Sequence, residues 1–203
     1  MVKVLLFSIL LFSMSSCHKF CKPHKFTFKG GIANVYPRND SIPIGDTLWV
    51  KCLIPANLKH PINNSSDSEN YNITGSTNLI TDIHLTTPTG INMQIGAVDS
   101  FIFVDARGSL KPNPLALNGS KTISFEPGST YFISEFGIVA KKKGIYFLAV
   151  IDIYQATKNC DKFSVSILMD NEDNHLHYMR DTYYGGYPIN LIDSTHSYCF
   201  KVY

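Results

Sequence analysis

Charge of either sign is scarce in this sequence. Only 17% of its 203 residues are charged, and 18 basic residues against 16 acidic ones leave a net charge of +2. A protein that binds nucleic acid presents a clustered basic face. The one basic run, Lys141-Lys142-Lys143, stands just before Gly144 and is typical of a solvated turn. We therefore expect no nucleic-acid partner.

The common enzyme motifs are also missing. The chain has no Gly-x-Ser-x-Gly elbow of the kind that presents a nucleophilic serine, and no glycine-rich phosphate loop. No cofactor is predicted. These absences leave catalysis without a named nucleophile, so an enzymatic role rests on the histidines considered below.

A membrane-spanning segment is lacking too, although the chain begins with an apolar run. Val4–Met14 follows Lys3 and is too short to cross a bilayer of about 30 Å. A positive start, a short apolar core and small residues at the cut are the marks of a secretory signal. Residues 1–16 are therefore predicted to be a signal peptide.

The residues at the predicted cut are Met14-Ser15-Ser16-Cys17, which resemble a bacterial lipobox. The resemblance implies cleavage just before Cys17, whose sulfur and new amino group are then acylated. It also implies a lipid-anchored protein of the cell envelope. Several acyl chains hold a protein on a membrane far better than one, at about 0.8 kcal/mol per buried methylene.

Residues 17–25 are predicted to form a tether. It is basic, and the first acidic residue of the chain is Asp40. Basic residues near a membrane are attracted to anionic head groups by roughly 1 kcal/mol each; a plain solvated linker is the alternative. In bacteroidete-type lipoproteins, acidic residues shortly after the cysteine resemble a signal for surface export. This chain lacks them, so the comparison implies the outer membrane, with the body facing the periplasm.

The cysteines fit an exported protein. Five is an odd number, and lipidation of Cys17 leaves four, which allow three pairings. We favour Cys160 with Cys199, since both flank C-terminal strands, and Cys21 with Cys52. A bridge closing a loop of about 40 residues contributes roughly 4 kcal/mol in the chain-entropy model. Four free thiols, buried as small apolar groups, are the alternative.

The body, residues 26–203, reads as a single all-β domain. Apolar residues recur with a period of two, as in Thr47–Ile54, where Leu48, Val50, Cys52 and Ile54 share one face. Eight or nine such strands with turns between them indicate an antiparallel, immunoglobulin-like β-sandwich. Ile145–Tyr154 is apolar on both faces and is expected at the centre of its sheet.

Other segments carry secondary expectations. Ala56–Ser76 and Asp105–Lys121 are predicted loops, and His175–Tyr183 is predicted to form one or two helical turns. Trp49 is expected in the core.

Beyond the lipobox, the chain resembles bacteroidete-type envelope lipoproteins. The resemblance is carried by Ser41–Trp49, by Lys142–Tyr146 and by the end, Tyr198–Tyr203. It implies a lipoprotein of the envelope and brings no activity with it.

The histidines are the candidate metal ligands. His175 and His177 lie two residues apart, so on a strand they would share a face, and His196 could be a third ligand. Zinc needs three or four ligands in tetrahedral reach. A metal-assisted envelope hydrolase at the His175 and His177 region is the alternative function.

The candidate binding residues are tyrosines. Tyr183, Tyr184 and Tyr187 surround two glycines and could form an exposed aromatic platform, since rigid rings give contact area at low entropic cost. The function we favour is a non-enzymatic, lipid-anchored module that binds a glycan, a peptide or another envelope protein.

Overall fold

The computed structural model describes residues 25–61, 68–76, 79–91, 93–113, 120–158, 161–182 and 196–203. Within these ranges the chain is almost entirely β-strand, with one short helix, α1 (His177–Thr182), and a 3₁₀ turn at Val98–Ser100. Sixteen strands follow one another along the chain. They are β1 (Lys25–Tyr36), β2 (Ser41–Ile42), β3 (Thr47–Pro55), β4 (Asn57–Pro61), β5 (Ser68–Asn72), β6 (Ile80–Gly90), β7 (Met93–Gly96), β8 (Phe101–Arg107), β9 (Ser109–Pro112), β10 (Ser120–Ser124), β11 (Glu126–Pro127), β12 (Tyr131–Ala140), β13 (Gly144–Val150), β14 (Ile153–Lys158), β15 (Asp161–Met169) and β16 (Ser197–Val202).

Two seven-stranded sheets form the body. The first has the order β11-β12-β3-β1-β15-β14, with β8 also paired to β12; the second has the order β2-β16-β13-β6-β10-β9, with β7 also paired to β6. The all-β sandwich is therefore confirmed. Most pairs are antiparallel, but β1 with β15 and β2 with β16 are parallel, so both sheets are mixed.

The core lies between the sheets because inward side chains alternate along each strand. In β3 every second residue is buried, and Leu48, Val50 and Ile54 are fully enclosed. Burying such a side chain stabilises the fold by about 1.5–3 kcal/mol. The face predicted from the sequence is the face that is buried.

β13 lies between β16 and β6, the central place expected of it. Its outward Phe147 is also buried, because α1 lays Met179 over it beside Cys199. The predicted strand Ile145–Tyr154 is nevertheless two strands: it breaks at Ile151 and Asp152, and β14 continues in the other sheet.

The predicted loop Ala56–Ser76 is only partly a loop. β4 and β5 pair there as a separate two-stranded sheet. Leu58 and Ile73 are buried and Tyr71 packs on Phe28 at 5.4 Å between ring centroids, so apolar contacts hold this hairpin against the core. The other predicted loop, Asp105–Lys121, likewise contains a strand, β9. The helical turns predicted within His175–Tyr183 are present as α1.

Among the described residues, no helix has the length and apolar character needed to cross a membrane.

Candidate binding surface

The three candidate metal ligands do not form a ligand set. His175 and His177 precede and begin α1, with ring centroids 6.3 Å apart. His196 instead lies beside Asp152 and Ser166. In the described ranges no group of three histidine, cysteine or acidic side chains could hold a metal ion.

His175 is held in a turn by contacts with its neighbours. It is 8% exposed and adopts a φ of 53°. Its amide donates to Asp173 Oδ1 at 2.7 Å, its Nδ1 lies 3.2 Å from Asp173 Oδ2, and its ring meets Tyr198 edge-on. The amide hydrogen bond also holds the pKa of Asp173 below its usual value. These contacts fix the turn that leads into α1.

A serine, a histidine and an aspartate do come together, but not as a catalytic triad. His196 Nε2 lies 3.4 Å from Asp152 Oδ1 and 3.5 Å from Ser166 Oγ. A triad needs the carboxylate on one ring nitrogen and the nucleophile on the other, so that the base is oriented and still free to take a proton. Here one nitrogen faces both groups, which does not activate the serine.

A cleft of about 250 Å³ opens next to this group. Its two carboxylates are engaged in hydrogen bonds. Asp82 accepts from Thr122 at 2.7 Å and from Asn113 at 2.9 Å, and Asp152 accepts from the Ile167 amide at 2.9 Å. Carboxylates held this way tie strands together. The cleft is lined by Ile80, Thr81, Asp82, Thr122, Ile151 and Asp152.

Cys52 and Cys199 are free thiols in the structure, each fully buried. Cys52 belongs to the first sheet and Cys199 to the second, beneath α1. Neither is bridged, so the structure shows no disulfide at either residue, and both match the alternative of buried thiols. Their predicted partners, Cys21 and Cys160, lie outside the described residues, as do Cys17 and the platform of Tyr183, Tyr184 and Tyr187.

Both thiols should resist alkylation in the folded protein. Burial raises the pKa of each to about 12, so almost no thiolate, the reactive form, exists at neutral pH. Native labelling with iodoacetamide followed by peptide mass mapping should leave Cys52 and Cys199 unmodified, whereas labelling in urea should modify both. Native modification of either residue, or its recovery in a disulfide-linked peptide, would contradict this expectation.

Trp49 is not in the core, contrary to the expectation. The buried residues Leu48 and Val50 flank it, so its side chain lies on the outer face of the first sheet and is half-buried. On that face it is paired with Tyr36 of β1 and Gly137 of β12, and Gly137 is paired in turn with Val104 of β8. The tryptophan thus stands in the middle of four strands.

Gly137 makes room for the indole. A Cβ at position 137 would lie 3.3 Å from Trp49 Cζ3, 3.4 Å from Cε3 and 2.8 Å from Thr47 Cγ2. Such separations are shorter than almost all real Cβ contacts, so a side chain there would push the ring away. With glycine, the six-membered ring of Trp49 lies across the neighbouring strand.

The surroundings of Trp49 form parallel rows of outward side chains, which we call the Trp49 face. One row is mainly aromatic and aliphatic, the next is charged or polar, and a third is aliphatic. The first two rows run across β8, β12, β3 and β1 and are, in that order, Val104, Gly137, Trp49 and Tyr36, then Arg107, Glu135, Lys51 and Asn34. The third row runs across β12, β3, β1 and β15 and is Ile133, Leu53, Ile32 and Leu168.

Large hydrophobic side chains are exposed on this face. Tyr36, Val104, Tyr131, Ile102 and Leu168 are each between 37% and 53% exposed. Single exposed apolar residues are normal on soluble proteins, whereas a contiguous apolar patch marks an interaction site. Tyr36, Val104 and Ile102 cluster around Trp49, and the charged row separates them from Leu168 and Tyr131.

The charged row is organised within the sheet. Tyr36 donates its hydroxyl hydrogen to Glu135, and Arg107 pairs with Glu126 at 3.2 Å. Partial burial, followed by the hydrogen bond to Glu135, raises the pKa of Tyr36 to about 12, so it is a neutral donor at physiological pH. Lys51 is directly opposite Glu135 on the neighbouring strand.

The sequence did hold the signal for this face. If Leu48, Val50, Cys52 and Ile54 point inward, then Thr47, Trp49 and Lys51 must point outward, since successive side chains of a strand alternate. The high average burial of tryptophan in proteins favoured a place in the core and obscured this signal. That Val104 and Gly137 flank Trp49 depends on pairings that the sequence does not state.

Comparison with known proteins assigns no family. No protein-family model matches the chain, and no curated protein matches it. Among solved structures it is similar to the second type II cohesin module from the adaptor ScaA scaffoldin of Acetivibrio cellulolyticus. The identity is 9%, the match covers 68% of this chain and 87% of that one, and the TM-score is 0.34.

Proposed function

We propose that the protein is a non-enzymatic binding module of a bacterial cell envelope, held on the membrane by an acylated Cys17 and using the Trp49 face to hold a protein partner. The observation that carries the binding role is the half-buried Trp49 on an outer sheet face, surrounded by exposed Tyr36, Val104 and Ile102. Aromatic residues at the centre of a patch are the usual energetic anchors of an interface.

A protein partner fits this face better than a glycan does. The cleft lined by Asp82 and Asp152 lies elsewhere, between strands whose polar groups are already paired. Five strands about 4.8 Å apart and eight residues along β12 give a face of roughly 24 Å by 27 Å, or about 650 Å². That area approaches the ~800 Å² per partner of a standard protein interface.

The anchor and the face are compatible in geometry. Cys17 stands eight positions before β1 begins at Lys25, a tether of at most about 28 Å. Trp49 pairs with Tyr36, the last residue of β1, so it lies roughly 36 Å of strand away from the tethered end. A partner could therefore reach the face clear of the membrane. Placement on the periplasmic side of the outer membrane is part of the same proposal.

Replacing Cys17 with alanine should release the protein from the membrane. Without the thioether and the acyl chains, only the basic tether attracts the membrane, and salt screens that attraction. Fractionation in salt should find wild type in the membrane pellet and Cys17→Ala outside it, and the intact mass of wild type should show acylation. Retention of the variant in washed membranes would defeat the anchor.

Replacing Trp49 with alanine should abolish capture of the partner. Interface anchors of this kind typically cost more than about 2 kcal/mol when truncated, so recovery should fall more than about tenfold. The measurement is quantitative pull-down from detergent-solubilised envelope with wild type, Trp49→Ala and Met93→Ala. Met93 is 62% exposed on β7 of the second sheet, which makes it a control for the loss of an exposed apolar side chain. Equal recovery by all three proteins would remove the face from the proposal.

A further inference from the structure

We propose that the partner on the Trp49 face is a second copy of this chain, so that the module is a two-fold symmetric dimer of face-to-face sheets. This inference rests on the binding role proposed above and names its partner. Its basis is the order of side chains across the strands. Both the charged row and the aromatic row become complementary to themselves when a second copy is turned over onto the first.

The charged row fixes where the symmetry axis lies. Its members on β8, β12, β3 and β1 are Arg107, Glu135, Lys51 and Asn34. A two-fold axis parallel to the strands and midway between β12 and β3 reverses the strand order in the second copy. Glu135 then faces Lys51 of the second copy, and Lys51 faces Glu135 of the second copy.

Other placements of the axis are unfavourable. An axis along β3 sets Lys51 against Lys51, and one along β12 sets Glu135 against Glu135. An axis that crosses the strands at the charged row places each strand opposite itself, with the same result. Like charges brought together at an interface cost several kcal/mol. An axis midway between β8 and β12 would set Arg107 against Glu135, but β8 pairs only with β12 and lies at the edge of the sheet, so Lys51 and Trp49 would face no strand of the second copy. The charges and the position of β8 together favour the axis between β12 and β3.

The aromatic row fits the same axis. Its order is Val104, Gly137, Trp49 and Tyr36, so the rotation places Trp49 opposite Gly137 of the second copy. Gly137 of each copy lies beneath that copy's own indole ring, so the contact at this point is between the two indoles. The two indole rings meet near the axis, and Val104 packs against Tyr36 of the second copy.

The flanking row agrees as well. Ile133 of β12 and Leu53 of β3 are paired within the sheet. The rotation therefore sets Ile133 against Leu53 of the second copy, and Leu53 against Ile133 of the second copy. Closed symmetric dimers use one self-complementary patch in this way. Packed sheets lie about 10 Å apart with strands within about 30° of each other, an arrangement that strands running parallel to the axis can adopt.

The test is the oligomeric state of the mature lipoprotein. Native mass spectrometry after release from detergent micelles, over a series of protein concentrations, measures the dimer dissociation constant directly. Wild type should give dimer, and Glu135→Lys or Lys51→Glu alone should raise the dissociation constant by about tenfold or more, because each places like charges opposite one another. The double reversal, Glu135→Lys with Lys51→Glu, should recover most of the wild-type affinity.

Matched controls separate the interface from general charge effects. Lys59→Glu and Glu172→Lys reverse exposed charges away from this face and should leave the dissociation constant unchanged. Far-UV circular dichroism and the urea midpoint identify any variant that is merely unfolded, and Thr47→Lys offers a second disruption on the solvent side of β3. A wild-type protein that stays monomeric at every concentration, or a double reversal no better than the single ones, overturns the dimer.

The two proposals fail differently. A monomeric protein that still captures an envelope component, and loses it with Trp49→Ala, overturns the second copy as partner but keeps the binding role. A dimer that Trp49→Ala and Glu135→Lys leave intact places the interface on another surface. If Trp49→Ala keeps both the dimer and the capture of an envelope component, the Trp49 face is neither the dimer interface nor the binding surface, and both proposals fail.

Discussion

Replacing Phe28 with alanine should lower the free energy of unfolding by about 3–5 kcal/mol, as is usual for a phenylalanine deleted from a packed core. Phe28 is fully buried where β1 meets β15. Its ring stacks on Tyr71 at 5.4 Å and meets Phe163 edge-on at 6.2 Å. The substitution removes contacts on both sides and leaves a cavity that rigid neighbouring rings cannot fill.

Urea unfolding, followed by far-UV circular dichroism, measures this loss. Tyr203→Ala is the matched control, because Tyr203 is an aromatic residue that is 57% exposed and follows β16 of the other sheet, and it should cost well under about 1 kcal/mol, as surface substitutions generally do. Since domains of this size are stable by only about 5–15 kcal/mol, Phe28→Ala should bring the protein close to unfolding. A loss no larger than that of Tyr203→Ala would show that the cluster around Tyr71 is not packed as described.

The aromatic cluster also shows what local sequence can and cannot predict. The alternation around Phe28 and Phe163 predicts two strands with a buried face each. It does not predict that those strands pair in parallel, with Phe28 opposite Val165. The pairing joins residues more than 130 positions apart, and no local pattern encodes the partner of a strand. The mixed character of the sheets was missed for this reason.

A second limit of prediction from local sequence is that it does not say which face of a strand stays exposed. The period of two assigns Leu48 and Trp49 to opposite faces, but it does not say which face another element will cover. In β13 both faces are covered, because α1 lays Met179 over Phe147. In β3 the outer face keeps half-buried and exposed neighbours around Trp49, including Tyr36. Tertiary packing, and not strand propensity, makes the difference.

The histidines illustrate the same limit for sites. A spacing of two places His175 and His177 on one face only if the segment is a strand. The segment is instead a turn followed by α1, fixed by the hydrogen bond between the His175 amide and Asp173. Asp173 has a short acceptor side chain that bonds to the backbone two residues on, which favours a turn over a strand. Asp173 therefore stabilises the turn that leads into α1.

The second large loss of stability is expected from a substitution at Gly108, in the turn between β8 and β9. Its φ is +77°, and a Cβ there would lie 2.2 Å from the carbonyl oxygen of Ser124 and 3.3 Å from Ser134 Oγ. Gly108→Ala therefore meets two penalties: about 1–2 kcal/mol for the left-handed backbone, and roughly 1–3 kcal/mol for forcing atoms into a packed site. We expect a loss of roughly 2–5 kcal/mol.

Gly45→Ala separates these two penalties. Gly45 has a φ of +90°, and a Cβ there would have no atom within 4 Å, so this variant carries the backbone penalty alone and should lose about 1–2 kcal/mol. The difference between the two variants, measured by urea unfolding under the same conditions, is the cost of the clash with Ser124. Ser124 belongs to β10, which pairs with β9 immediately after Gly108, so relief of the clash must shift that pairing. Equal losses for the two variants would mean that β9 and β10 yield without cost, and that the turn from the first sheet into the second is not fixed by the close approach of Gly108 to Ser124.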